Sequence, residues 1–216
     1  MFAPDPPLRR RGCQLPLTAL QVAIVLFYIA LSALTFLAIA LCASAQAQAF
    51  LYPLQGALVG VCTLSYLVCN TLDVTAPGGI PCACVATSQA AEPHYCRQTG
   101  GHVPGYDHFC VFMNVAVGKR TYFWFYLMAA TGLLQFSWQV ASLAAVAGGP
   151  WLGAAGEAGS PLSQPSKQAF AGVMAFLGLA GIASFGPLCA FHTCVCGVCV
   201  CVEGGAFEPK PRAGLA

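Results

Sequence analysis

The sequence predicts an all-α polytopic membrane protein with four transmembrane helices and a small, irregular cytosolic domain between the second and the third. Three observations predict it. Of the 216 residues, 58% are apolar and 7% charged, where a soluble domain of this size carries roughly 25% charge. No charged residue occurs from Gly12 to Leu72, from Thr121 to Gly156, or from Gln168 to Val202. A helix in water needs a polar face, and stretches of about 20 mostly apolar residues are long enough to cross the hydrocarbon. The one long polar interruption, residues 71–120, holds three of the four histidines.

The elements follow in order. Residues 1–15 form a basic, proline-containing cytosolic arm with Arg9, Arg10 and Arg11. These arginines followed by an apolar run resemble a signal peptide, but the run extends from about Thr18 to Cys42, too long for a cleaved apolar region. It reads as an uncleaved first span, 18–42. The segment CASAQAQAF, Cys42 to Phe50, is expected as a tight polar turn, and the second span covers 51–70, so that residues 16–70 hold both. The polar insert is 71–120. The third span, 122–146, opens on Tyr122, Phe123, Trp124, Phe125 and Tyr126, rings suited to the interface between head groups and hydrocarbon. Residues 148–167, rich in Gly, Pro and Ser, form a loop before the fourth span, 170–191. Together these make the segment 121–191. Residues 192–216 are a Cys-rich tail.

The basic residues orient this plan. With four spans, Arg9, Arg10, Arg11, Arg97, Lys119, Arg120, Lys210 and Arg212 lie on one side and Lys167 alone on the other. The positive-inside bias therefore puts both termini and the insert in the cytosol, and the loop 148–167 in the lumen or outside. Gln21, Gln135, Ser137 and Gln139 interrupt the spans. They are read first as hydrogen-bonding glue within the bundle, and otherwise as the polar side of a cavity. No basic patch has the size that nucleic-acid binding needs, so that partner class is excluded.

Thirteen cysteines in a chain of this size suggest disulfides, but their positions argue for reduced, metal-bound or acylated thiols on a cytosolic face. Within the insert, Cys82, Cys84, His94, Cys96, His102, His108 and Cys110 stand among Gly79, Pro81, Pro93, Gly100, Gly101, Pro104 and Gly105, which favour turns. About fifty such residues bury little core, and small domains of this kind are commonly held by a metal. Thiolates mixed with imidazoles suit a tetrahedral Zn²⁺, with four ligands drawn from Cys82, Cys84, His94, Cys96 and His102. The alternative is a loosely ordered loop with free cysteines.

Asp107, His108 and Cys110 form the second constellation. A thiol reacts as its thiolate and needs a base or a positive neighbour. A histidine supplies either, and a carboxylate orients the ring and favours its protonated form. Further metal ligation by His108 and Cys110 is the competing reading.

The segment DHFCVFMNVAVGKRTYFWF, Asp107 to Phe125, resembles the core of the DHHC-type protein S-acyltransferases (palmitoyltransferases), with DHFC in place of DHHC. Ala76-Pro77-Gly78 with Ile80-Pro81 resembles the family's segment after span two. His94-Tyr95-Cys96 resembles its His-Cys pair, and Asn114, Gly118, Tyr122 and Phe125 its Asn-containing and aromatic pattern. Motif resemblance covers about residues 76–125, and the span order extends it over most of the chain.

The resemblance implies Cys110 as nucleophile, His108 as general base and Asp107 as the group that orients His108. It implies long-chain acyl-CoA as donor, membrane-associated proteins as acceptors, and an endomembrane (Golgi or endoplasmic reticulum) or plasma-membrane location. Arg97, Lys119 and Arg120 become candidate contacts to the CoA phosphates. Three ligands of one family zinc site are replaced, by Thr99, Phe109 and Ala116, which leaves Cys96 alone. The other site is better kept: Cys82 matches, Cys84 sits one residue early, Tyr95 takes the expected histidine position beside His94, and His102 replaces a cysteine. One zinc is therefore expected, not two. No Thr-Thr-x-Glu element follows span four. His192-Thr193-Cys194-Val195-Cys196 stands there, so the contacts made by that element are missing or rebuilt. Cys194, Cys196, Cys199 and Cys201 read as acylation sites near the membrane, with a metal knuckle as the alternative. Two functional readings follow: a working S-acyltransferase, or an inactive relative acting as a membrane scaffold or regulatory partner.

Overall fold

The computed structural model describes residues 8–80, 93–154 and 162–203, with side chains described as far as Thr193. Its order is α1 (Ala19–Cys42), α2 (Ala45–Thr71), β1 (His94–Cys96), β2 (Gly101–Val103), β3 (His108–Cys110), β4 (Val115–Val117), α3 (Tyr122–Ala147) and α4 (Gln164–Glu203). Cys82 and Cys84 lie outside the described residues.

Local chemistry sets the helix starts. The Thr18 hydroxyl accepts from Gln21 N to cap α1, and Ser44 caps α2 by accepting from Ala47 N. The second cap corrects the turn expected over Cys42 to Phe50. Ala45, Gln46, Ala47 and Gln48 are good helix formers behind a serine cap, so α2 begins at Ala45 and the connection shrinks to Ala43 and Ser44. Ser44 N donates to Trp151 O and Gly153 N to Cys42 O, which ties this connection to the chain after α3. There Lys167, 1% exposed, donates through Nζ to the carbonyls of Gly153 and Ala154.

Helices α1, α2 and the part of α4 from Gln164 to Thr193 are long and apolar enough to cross a membrane. Helix α3 has 26 residues and spans about 39 Å at helical rise. It carries no charge but holds Thr131, Gln135, Ser137, Gln139 and Ser142 among its apolar residues. The two glutamines bond across the bundle. Tyr28 OH on α1 donates to Gln135 Oε1 at 2.6 Å, Gln135 Nε2 donates to Ser32 Oγ at 3.3 Å, and Gln139 Nε2 donates to Met174 O on α4 at 3.0 Å. Helix α3 packs most extensively on α4 and next on α2. The α3–α4 approach depends on small residues. A Cβ at Gly181 would sit 2.2 Å from the Phe136 ring, and one at Gly132 2.7 Å from that of Phe185.

The polar insert is more regular than a sequence rich in turn formers suggests, and the molecule is mostly helical, not wholly so. Strands β1 and β2 pair antiparallel, with His94 opposite Val103, Tyr95 opposite His102 and Cys96 opposite Gly101. Strands β3 and β4 pair likewise, with His108 opposite Val117, Phe109 opposite Ala116 and Cys110 opposite Val115. These short runs of aromatic, β-branched and small residues each end on a buried residue, and β4 is buried throughout. Their inner residues Cys96, Val103, Cys110, Val115, Ala116 and Val117 share one core with Cys62 and Cys69 of α2 and with Tyr122, Phe125 and Met128 of α3. The domain is thus seated on the ends of the helices. The basic arm is docked as well. Arg9 N donates to Gln98 O, Val74 N to Arg10 O and Cys13 N to Asn70 O, while the buried Arg9 guanidinium donates to the carbonyls of Gln14 and Pro16.

Candidate active site

The β3–β4 hairpin carries the candidate nucleophile. Asp107 N donates to Val117 O at 2.9 Å, continuing the ladder by one residue. Cys110 ends β3 and is 7% exposed. The chain reverses over Val111–Asn114, with Asn114 at φ 54, a left-handed conformation that asparagine tolerates. Val111 and Phe112 at the tip are exposed, whereas Met113 is buried. Gln21 of α1 holds this turn from the membrane side. Its Nε2 donates to Met113 O at 3.1 Å, Gly12 O at 3.0 Å and Asn70 Oδ1 at 3.3 Å, which joins α1, α2, the arm and the hairpin at one amide.

The acid–base pair is formed. His108 Nδ1 lies 2.9 Å from Asp107 Oδ2. That hydrogen bond, helped by one involving the Cys110 thiol, raises His108 from its ordinary 6.5 to about 9 against the opposing effect of burial. The same bond to His108 holds Asp107 below its ordinary value although burial acts the other way. At neutral pH the arrangement is a carboxylate and an imidazolium on the strand that ends in Cys110, the positive neighbour that a cysteine nucleophile needs.

His192 was not singled out by sequence reasoning, yet it belongs to this site. It lies near the end of the α4 span, is 3% exposed, and its Nδ1 is 2.9 Å from Tyr122 OH. Its ring centroid is 6.2 Å from that of His108 and 5.1 Å from that of Phe125, and Phe125 also meets His108 edge-on at 5.4 Å. One residue on, Thr193 Oγ1 is 2.9 Å from Tyr126 OH. The end of the α4 span is thus tied to two tyrosines of α3 through His192 and Thr193. The signal available in the sequence was a lone histidine at the end of an apolar span.

Of the expected metal ligands, Cys82 and Cys84 lie outside the described residues, and the other three are divided between two faces. In the β1–β2 pair, His94 and Cys96 project to one face and His102 to the other, opposite Tyr95, whose ring is 5.4 Å from that of His102. His94 stacks on Tyr106 at 5.0 Å. Cys96 is buried and receives the Thr99 hydroxyl at 3.3 Å. His94, Cys96 and His102 therefore cannot share one tetrahedral ion, and among the described residues no group of three His, Cys, Asp or Glu could hold a metal. Of the four positions at which the resemblance places the lost zinc site, Thr99 bonds to Cys96, Phe109 faces Ala116 across the other hairpin, and Cys96, Phe109 and Ala116 belong to or pack on one core cluster.

A family model described as DHHC palmitoyltransferase matches residues 81–199, more than half of the chain. The chain belongs to the DHHC palmitoyltransferase family. No curated protein matches it. Within this DHHC chain the matched region holds both hairpins, α3 and all of the α4 span up to Thr193. The basic residues lie apart from one another. Arg97 is exposed in the β1–β2 turn beside the arm, whereas Lys119 and Arg120 stand at the foot of α3 against Gly79, with Lys119 also against Gly105. Cys194, Cys196, Cys199 and Cys201 lie on helical backbone, because α4 continues to Glu203.

Proposed function

We propose that this chain is a protein S-acyltransferase that moves a long-chain acyl group, such as palmitoyl, from acyl-CoA to protein cysteines through a thioester on Cys110. The observation that carries the reading is the Asp107–His108 pair at 2.9 Å on the strand that ends in Cys110. In the first step the Cys110 thiolate attacks the thioester carbonyl, a bond to Sγ forms, and the CoA sulfur leaves and takes a proton from the His108 imidazolium. In the second, His108 accepts the proton of an acceptor cysteine, whose sulfur takes the acyl group and releases the Cys110 thiolate. Asp107 keeps the imidazole oriented through both. Burial of the acyl chain is worth about 0.8 kcal/mol per CH₂, which favours a nucleophile at the end of a helix bundle in a bilayer.

In this reading α3 is a fourth span, both termini face the cytosol, and the protein resides in the Golgi, the endoplasmic reticulum or the plasma membrane. Lys119 and Arg120 at the foot of α3, with Arg97, are available to the CoA phosphates. Cys194, Cys196, Cys199 and Cys201 are acylated. A zinc ion, if held, takes its ligands from Cys82, Cys84, His94, Cys96 and His102. A second reading, an inactive scaffold or regulatory partner, is favoured by the apolar filling at Thr99, Phe109 and Ala116.

The deciding experiment feeds cells an alkyne-tagged palmitate and compares the chain with its Cys110→Ala variant, the four tail cysteines being alanine in both. Label released by neutral hydroxylamine is expected to disappear in the Cys110 variant. Equal labelling of the two, or none in either at normal expression, refutes the transferase and leaves the scaffold.

A further inference from the structure

We infer that His192 is a positioning residue of the Cys110 site, the side chain through which α4 holds the Asp107–His108 pair in register with the thiol. The inference rests on the reading of Cys110 as the reactive group. His108 is fixed at Nδ1 by Asp107, but a single hydrogen bond to a half-buried carboxylate leaves its ring free to swing about that axis. What limits the swing is the ring wall formed by Phe125 and His192, at 5.4 and 6.2 Å from it. Phe125 belongs to the first turn of α3. His192 comes from the far end of a different helix, and its own rotation is stopped by the Tyr122 hydroxyl at 2.9 Å.

Burial makes this arrangement costly to leave unmade. His192 is 3% exposed and its Nδ1 is paired with the Tyr122 hydroxyl, so removing that hydroxyl leaves a buried imidazole nitrogen unpaired. The groups that face this imidazole are accordingly few: Tyr122 by hydrogen bond, His108 and Phe125 by ring contact, Phe191 beside it, and the Asp107 carboxylate within electrostatic reach. Tyr126 is engaged by Thr193. A phenylalanine at 192 would keep the wall and lose the Tyr122 bond. A phenylalanine at 122 would keep the imidazole and release it. Both changes loosen His108 without touching Asp107 or Cys110.

The test reads the thiol directly. Trypsin releases peptide 98–119, whose only cysteine is Cys110, so iodoacetamide uptake at that thiol is measurable by mass spectrometry in the full-length protein from pH 5.5 to 9.5. His192→Phe and Tyr122→Phe are both expected to slow uptake near pH 7 by about threefold to tenfold, the effect of losing one partly buried hydrogen bond, and to move its rise to higher pH. His192→Gln, which can still pair with Tyr122, is expected to recover most of the rate. Wild-type uptake in both phenylalanine variants overturns the inference. So does a uniform slowing at every pH, which is what a merely structural role would give. Because alkylation needs no acyl-CoA, the outcome is independent of whether an acyl-enzyme forms; failure of the transferase reading shows instead as an unlabelled Cys110 in the palmitate experiment.

Discussion

Replacing Asp107 by asparagine tests the electrostatic core of the site. The carboxylate is the main reason that His108 stands at about 9 instead of 6.5. Without it the imidazole falls back toward the lower value. At pH 7.5 a histidine titrating at about 9 is roughly 97% protonated, and one at 6.5 roughly 9%. The imidazolium available to Cys110 therefore drops about tenfold. The sign confines the effect to a window. A group whose folded value is raised holds its proton, and the stability that goes with it, fully below 6.5 and loses both as pH rises through about 9. Wild type and Asp107→Asn should thus react alike below about pH 6, diverge most between about 7 and 8.5, and converge only above about pH 10 where both imidazoles are neutral. Global stability should change little. Both side chains are about a third exposed, and such a pair is worth about 0.5 kcal/mol after solvent screening. The assay is iodoacetamide uptake at Cys110 on peptide 98–119 across that range. Superimposable profiles for the two proteins would refute the claim that Asp107 sets the charge state of His108.

Three further outcomes are expected. Gln21→Leu strands the buried acceptors Gly12 O and Met113 O and should cost about 1–3 kcal/mol, read as a lowered Tm in detergent, with faster trypsin cleavage at Arg10 and Arg11 as the arm undocks. Gly181→Ala places a methyl 2.2 Å from the Phe136 ring and should lower Tm by pushing α4 from α3, whereas Gly172→Ala, with open space around it, should not. The triple change Thr99→Cys, Phe109→His and Ala116→Cys, added to the native Cys96, rebuilds a tetrahedral donor set and should bind one more zinc per chain than the parent by elemental analysis. An unchanged zinc content would mean that the four positions do not converge as the resemblance implies.

The helices were legible because burial in lipid imposes a constraint that composition reports directly: charge vanishes over whole segments. Helix α3 shows the limit of that signal. Its glutamines satisfy one another's neighbours across the bundle, with Gln135 bonded to Tyr28 and Ser32 and Gln139 to Met174, and the same residues depress its hydropathy. The hairpins were hidden for a different reason. Each strand has three residues, and period-two alternation over so short a run is indistinguishable from chance beside so many turn formers. The Asp107–His108 contact could be anticipated because the two are neighbours in sequence. That Cys96 and His94 would face away from His102 could not, since it depends on the register of Tyr95 opposite His102. His192 was hidden most completely. It is separated from His108 by two helices and a loop, and only the packing of α4 on α3 brings the two rings together.

If one family zinc site is lost, as the resemblance implies, the hairpin that carries Cys110 can still hold its shape, because Thr99, Phe109 and Ala116 are the kind of residues that a metal-free core requires. A tetrahedral zinc would fix β3 to β4 and to the β1–β2 turn through bonds of fixed length. Here Phe109 packs across from Ala116, the Thr99 hydroxyl occupies the Cys96 thiol, and Val115, Ala116 and Val117 are each 0% exposed in the core shared with α2 and α3. Partial burial of the Phe109 ring contributes about 1–2 kcal/mol, and the cross-strand contacts add to it. What such packing lacks is directional rigidity, since dispersion contacts tolerate small rotations that metal bonds do not. The polar ties around the hairpin supply that rigidity instead: Gln21 on the turn after Cys110, Asp107 on His108, and Tyr122 on His192. If the chain is an active transferase, its dependence on these three should therefore exceed its dependence on metal. Chelation should reduce acyl-enzyme formation less than Gln21→Leu or His192→Phe does, and the opposite ranking would show that a zinc ion, not this polar frame, holds Cys110 in place.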